Sequence, residues 1–407
     1  MNAVILGGVA PHIELIRVLK RMGYYTILAD YLDNPPAKSH ADLFCQISTL
    51  DEDAVLELAM EKDAKLVISV CVDYANVTVC RVADRLGLPL PYSLETVRLT
   101  TDKGLMKERM RSGGIPTSDW TVLEKGDPVP EDIHFPAVMK PVDNNGSKGV
   151  RKVSSLKEAE QYLEKCLSYS RKGRVIIEGF NFGREIQVDC FANKGEAHVL
   201  MTREKVAIPR REGMALQSCG SIVPARIPEA VNERIRVIAQ RMADAFGFGH
   251  TPFFFQANVE GDDIKVIELS PRIGGGFSYK MIKAQTGFDI VEAAANSYFG
   301  DLSGLDFQEN RGCLMTNSLY AAGGCFDHVI GMDEMLQNGT ADDFDLFIAP
   351  GTRMGTDMDS RNKVGIYSVS GETYSELFEK LKYVNEHINI VDSSGNSIMC
   401  RGLYATE

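Results

Sequence analysis

Six short segments at the start of the chain alternate between strand and helix, and this alternation limits the possible folds more than any other feature. Residues 3–7, 25–30 and 66–70 are apolar runs of strand length, while 13–21, 54–62 and 75–86 carry helical periodicity. Strands separated by helices of this length become parallel neighbours through right-handed crossovers. Residues 1–100 are therefore expected to form a domain around a parallel sheet.

Gly7 and Gly8 follow the first strand and Asp30 closes the second, a superficial match to a dinucleotide-binding fingerprint. The third glycine is missing, since Val9, Ala10, Pro11 and His12 come next, so the pattern is weak evidence for an NAD-dependent dehydrogenase. A tight turn feeding a helix, with Pro11 in its first turn, accounts for the same residues.

With 407 residues the chain exceeds one ordinary core, and two or three domains are expected. Gly87 and Pro89 stop the opening unit, and a helix is expected over 101–111. Strands follow at 119–123, 137–142, 175–180, 185–192 and 198–202, with a turn at Asn193, Lys194 and Gly195. A helix over 228–246, a hairpin and a helix over 290–299 complete this region. Short strands near 314–320 and 365–369, a helix over 374–384 and a final strand pair suggest a separate C-terminal cap.

A formal net charge of −12 argues against a nucleic-acid backbone as the main partner. No apolar run reaches the length of a membrane span, and the first strand lacks the flanks of a signal peptide, so a cytoplasmic protein is expected. The nine cysteines are scattered without CxxC spacing, and the seven histidines form no zinc-type pair.

The hairpin holds the most chemistry. Gln256 sits in one apolar strand, and Glu268, Ser270 and Arg272 follow in the next at intervals of two, which places them on one face of an extended chain. A carboxylate beside an amide and a hydroxyl can hold a hard cation through oxygen, and a guanidinium two residues on can receive an anion. Taken alone, solvent-facing residues of an ordinary hairpin would look the same. Phe253, Phe254 and Phe255 bury this strand on at least one face, where polar groups normally have partners.

Upstream, Lys140 ends an apolar strand and precedes a loop containing Gly146, Ser147, Lys148 and Gly149, whose glycines free backbone amides to wrap phosphates. Glu178 and Phe180 close another apolar strand, offering an acceptor and an aromatic wall for adenine, and Glu185 could take ribose hydroxyls. Lys103 opens the helix behind Asp102. Each of these also reads as a solvated surface residue. Arg203, Lys205, Arg210 and Arg211 form either substrate contacts or a solvated basic loop.

Taken jointly, the order and spacing resemble the ATP-grasp superfamily, and most closely its carbamoyl-phosphate-synthetase-like and L-amino-acid-ligase-like carboxylate-amine ligases. The resemblance spans nearly the whole chain. It implies a mixed α/β and α+β fold: a Rossmann-like pre-ATP-grasp domain at 1–100, an ATP-grasp domain of two α+β subdomains at 101–305 with a break near 173, and an α+β lid at 306–407. ATP with Mg²⁺ or Mn²⁺ is the implied cofactor set. Lys103 and Lys140 match the phosphate-binding basic positions, and Gly146, Ser147, Lys148 and Gly149 the flexible phosphate loop. Glu178 with Phe180 matches the adenine hinge, Glu185 the ribose position, and Gln256, Glu268 and Ser270 the metal positions. Arg272 matches the arginine that steadies the acyl phosphate or its carboxylate precursor. Small-molecule carboxylate and amine substrates follow, and a homodimer is compatible.

Two departures bear on the chemistry. The family usually carries asparagine at Ser270 and often glutamate at Gln256, so this chain has fewer anionic ligands for a second cation. The resemblance implies amide or peptide bond formation through an acyl phosphate, yielding ADP and phosphate. Bicarbonate activation of the carbamoyl-phosphate or carboxylase kind, and ATP binding without catalysis, are the rival expectations.

Overall fold

Ala3, Val4, Ile5 and Leu6 in strand β1 (Asn2–Leu6) have no exposed surface, the double-sided burial that a central parallel strand requires. The computed structural model describes residues 1–144, 148–208, 218–300, 308, 312–356 and 360–406, apart from the side chain of Ser360. After β1 come α1 (Ala10–Arg21), β2 (Tyr25–Asp30), β3 (Leu43–Gln46), α2 (Glu52–Glu61), β4 (Ala64–Ile68) and α3 (Asp73–Leu86). The four strands are parallel in the order β3-β2-β1-β4, as the alternation predicts. The order reverses between β1 and β4, so the loops following these two strands meet at the carboxyl edge of the sheet.

The Gly7–Gly8 turn is structural. Asp30 accepts the Gly8 N–H at 2.7 Å and the Leu32 N–H at 2.8 Å, so both its oxygens hold backbone. A Cβ on Gly8 would lie 2.4 Å from Pro35.

Helices α4 (Leu94–Thr100) and α5 (Lys103–Ser112) follow. Buried Asp102 caps α5, accepting from Gly104 at 3.0 Å and Leu105 at 3.3 Å. Strands β5 (Trp120–Glu124), β6 (Ala137–Pro141), β7 (Arg151–Val153) and, after α6 (Leu156–Leu167), β8 (Arg174–Gly179) make an antiparallel sheet ordered β5-β8-β6-β7. Ala159, Tyr162, Leu163 and Cys166 of α6 pack on Met139, Val175 and Ile177.

Next come β9 (Arg184–Asn193), β10 (Glu196–Ala207), β11 (Ser218–Val223), α7 (Glu229–Phe246), β12 (Thr251–Glu260), β13 (Asp263–Ser270), α8 (Ser278–Thr286) and α9 (Ile290–Ser297). Strand β12 lies between β9 and β13, antiparallel to both. The remaining elements are β14 (Cys313–Tyr320), β15 (Phe326–Ile330), α10 (Met332–Gln337), β16 (Asp343–Leu346), β17 (Lys363–Gly371), α11 (Tyr374–His387) and β18 (Asn389–Asp392).

The chain divides into two compact units, one of residues 1–200, 227–274 and 289–305, the other of 201–226, 275–288 and 306–407. The second unit thus joins two earlier segments to the C-terminal residues. Its strands run β10-β11-β14-β17-β16, and its core gathers Met315, Tyr367 and Val369 against Leu377 and Leu381 of α11. Among the described residues no helix is long and apolar enough to cross a membrane.

Among the described residues, nine elements lie outside the sequence expectations: β3, α4, β7, α6, β11, α8, β15, α10 and β16. Strand β3 is only half-buried and carries Cys45 and Gln46 at its end, so its apolar run is too short to register. Helix α4 is seven residues long and α8 nine, and both lie in stretches where the sequence analysis assigned no element. Helix α6 has clear amphipathic spacing, which was legible and passed over.

Candidate active site

The described candidate residues matched to ATP, metal and acyl phosphate lie in the first unit. Val138 of β6 pairs with Glu178 of β8, and Lys140 with Ile176, so Lys140 and Glu178 are diagonal neighbours on one face. Lys140 forms an ion pair with Oε1 of Glu178. Lys107, one turn after Lys103 on α5, reaches Oε2 of the same carboxylate at 2.5 Å. Burial alone would raise the Glu178 pKa, but the two ammonium groups overcome it and hold it down at about 2. Burial likewise pulls Lys140 down, yet Glu178 and Glu268 leave it raised; for Lys107 burial wins and its pKa is lowered.

On strands β9, β12 and β13, Gln256 stands opposite both Gln187 of β9 and Glu268 of β13. Asn258 stands opposite Glu185, and Phe254 opposite Ser270. Alternation therefore puts Glu185, Gln187, Gln256, Asn258, Glu268 and Ser270 on one polar face. The register slips between Gln256 and Ala257, a bulge that brings Glu268 opposite the amide. Lys103 Nζ lies 3.6 Å from Glu268 Oε2 and donates to the Asn144 carbonyl at 2.8 Å. Glu185 and Glu268 both act electrostatically on Lys140, which ties the two sheets to one charged centre.

The donor set fits a magnesium ion carrying a nucleotide. Directly opposed residues have Cβ atoms roughly 5 Å apart, so the Glu268 carboxylate and the Gln256 amide oxygen can face one cation. Mg²⁺ characteristically takes one or two protein oxygens and completes its shell with water and phosphate. Among the described residues no three of His, Cys, Asp and Glu cluster as metal ligands, so phosphate oxygens would have to supply the remainder. Ser270 is otherwise engaged: its hydroxyl donates to Asp73 Oδ1 at 2.8 Å, leaving only lone pairs for a metal.

Arg272 is also held by Asp73, through Nε to Oδ1 at 2.5 Å and Nη2 to Oδ2 at 2.6 Å. Its guanidinium lies 4.9 Å from the centre of the Phe254 ring. Burial opposes the Asp73 charge, but Arg272 prevails and keeps its pKa below the usual carboxylate range.

The adenine-hinge residues are placed differently from one another. The Glu178 carboxylate faces lysines, and the Phe180 N–H donates to the Pro136 carbonyl at 3.0 Å. The Phe180 ring meets Phe182 edge-on at 5.0 Å, and Lys152 Nζ lies 3.8 Å from its centre. Gly146 and Ser147 lie outside the described residues. Lys148 is exposed. Gly149 has φ +76, and a Cβ there would sit 2.9 Å from both Pro141 and Tyr169, so only glycine fits this loop end. Arg203 and Lys205 belong to the second unit, whereas Arg210 and Arg211 lie outside the described residues.

Three participants escaped sequence reasoning: Lys107, Asp73 and Gln187. The i, i+4 spacing of Lys103 and Lys107 was a usable signal. Asp73 sits 199 positions from Arg272 and offers no local cue. Gln187 faces Gln256 only through strand pairing.

Residues 133–280 match the ATP-grasp domain family. The formate-dependent phosphoribosylglycinamide formyltransferase of Rhodococcus jostii is 29% identical over 281 residues, 67% of this chain and 68% of that protein. The solved L-amino acid ligase of Bacillus licheniformis superposes with a TM-score of 0.80 at 20% identity, over 96% of this chain and 98% of its own. Phosphoribosylglycinamide synthetase of Anaerococcus prevotii gives a TM-score of 0.78 at 16% identity, over 96% and 99%. Residues 133–280 therefore carry an ATP-grasp domain, and the parallel N-terminal sheet with the antiparallel sheets that follow it gives the chain the fold of these solved structures.

Proposed function

We propose that this protein is an ATP-dependent carboxylate-amine ligase, forming an amide or peptide bond through an acyl phosphate and releasing ADP and phosphate. The observation that carries this reading is the convergence of Lys103, Lys140, Glu178 and Glu268 beside Gln256. Relatives named for formate-dependent formyl transfer and for L-amino acid ligation supply the reaction class. Lys103 and Lys140 bind phosphate oxygens, and Lys148 and Gly149 follow Lys140 as phosphate-loop residues. Phe180 walls the adenine, Glu178 backs Lys140 and Glu185 takes the ribose. Glu268 and Gln256 hold the magnesium, assisted weakly by Ser270; when bound, the metal neutralises phosphate charge.

The substrate carboxylate is ionised at neutral pH and needs no protein base to attack the γ-phosphorus. The carboxylate oxygen forms the new O–P bond as the bond to the ADP oxygen breaks. The amine then adds to the acyl carbon, phosphate departs, and the amine loses a proton. Positioning and charge neutralisation are the protein's tasks. Arg272 serves the acyl phosphate, an intermediate that water would destroy. The substrates are small carboxylates and amines, and the site of action is the cytoplasm.

Phosphate release from Mg-ATP, measured against single amino acids, amino-acid pairs, other carboxylates with amines, and bicarbonate, tests the proposal. Carboxylate-dependent ADP formation with an amide product supports it. Stimulation by bicarbonate alone would replace it with a bicarbonate-activating enzyme. Tight ATP binding with no stimulation would favour a regulatory nucleotide binder, the reading that the engagement of Ser270 by Asp73 keeps in view.

A further inference from the structure

Lys107 has no part in the chemistry above, yet it is only 2% exposed and its ammonium meets three oxygens. It forms an ion pair with Glu178 Oε2 at 2.5 Å and donates to Thr117 Oγ1 at 2.6 Å and the Val266 carbonyl at 3.4 Å. The seat is rigid. Thr117 itself donates to the Val266 carbonyl at 2.8 Å, and the Val266 N–H donates to Pro116 at 2.8 Å. Lys107 is thereby fixed to the edge of β13, the strand that carries Glu268.

Glu178 is also 6% exposed and shares its two oxygens between Lys107 and Lys140. One carboxylate between two ammonium groups leaves the trio with a net positive charge. Without Lys107, Glu178 and Lys140 would form a neutral pair, and Lys140 would have little attraction left for an anion. We propose that Lys107 is a positioning residue: by occupying one oxygen of Glu178 it weakens that carboxylate's hold on Lys140 and leaves more of the Lys140 charge to the nucleotide phosphates. The inference rests on the nucleotide reading of this site. It assigns Lys107 no contact with ATP; Lys107 acts through Glu178.

The test compares Mg-ATP with adenosine, because a charge effect acts on the triphosphate and a packing effect acts on both. Calorimetric titration of the full chain should show Lys107→Met weakening Mg-ATP by about tenfold or more while adenosine changes less than about twofold. Adding Glu178→Gln to Lys107→Met restores a net positive charge on Lys140 and should recover most of the Mg-ATP affinity. A thermal melt of each variant checks folding, and Lys107→Gln, which keeps a partner for Thr117, replaces Met should that variant fail to fold. Equal losses for Mg-ATP and adenosine, no loss at all, or no recovery in the double variant would overturn the inference. Failure of the wild-type chain to bind Mg-ATP would instead remove the nucleotide reading, and this inference with it.

Discussion

Arg272 grips Asp73 with both arms of its guanidinium, Nε to Oδ1 at 2.5 Å and Nη2 to Oδ2 at 2.6 Å. Asp73 opens α3 in the N-terminal parallel sheet domain, while Arg272 follows β13, so the contact joins the sheet's carboxyl edge to the polar hairpin. A bidentate guanidinium–carboxylate pair has the geometry in which Arg272 would receive a substrate carboxylate or acyl phosphate. Asp73 already occupies that fork, and Nη1 donates to the Ile273 carbonyl at 2.9 Å, so a substrate anion has to take over N–H bonds that Asp73 now holds.

Arg272→Ala should lower kcat by about a hundredfold, the usual effect of removing one donor to developing charge, while the Mg-ATP Kd stays within about threefold. Arg272→Lys should not restore activity, because an ammonium cannot reproduce the fork. Steady-state kinetics alongside calorimetric ATP binding separate the two effects, and unchanged turnover in Arg272→Ala would refute the role.

Chelation should stop ADP formation, and added magnesium should restore it. Glu268→Gln removes the one carboxylate of the Gln256–Glu268 pair and should raise the magnesium needed for half-maximal activity by at least about tenfold. A magnesium titration at saturating ATP reads this directly.

Gly149→Ala should destabilise the protein by about 1–3 kcal/mol, because φ +76 suits glycine and a Cβ would press on Pro141 and Tyr169. The same change should raise KM for ATP if this loop wraps phosphate. Urea midpoints and ATP kinetics check the two parts separately.

Glu178 links stability to acid. Its folded pKa, about 2, lies below the ordinary 4.5, so the stabilisation from its ion pairs is complete above about 4.5 and is lost as pH falls toward 2. Urea midpoints followed from about pH 5 downward should fall, and Glu178→Gln should flatten that fall. An identical slope in the variant would show that other carboxylates govern acid unfolding.

The N-terminal sheet was legible because β1, β2 and β4 each carry a buried apolar run, whereas β3 was lost because a half-buried edge strand needs little apolar sequence. Lys140, Glu178, Gln256 and Glu268 were found as strand-end or alternating polar residues in apolar surroundings. Their partners were not, because Asp73, Gln187 and Lys107 meet them only through tertiary packing. The pairing of Glu178 with two lysines is likewise invisible in a sequence that presents it simply as the end of an apolar strand. Ser270 shows the same limit: alternation puts it on the face of Glu268, but not in the grip of Asp73.

Carboxylate activation is tested most directly by following heavy oxygen. A carboxylate that supports turnover is labelled on both oxygens and incubated with Mg-ATP, an amine and the protein, and the released phosphate is examined by mass spectrometry. Transfer of one labelled oxygen into phosphate, with ADP as the nucleotide product, is the result an acyl phosphate predicts. Unlabelled phosphate, or AMP with pyrophosphate, would contradict it.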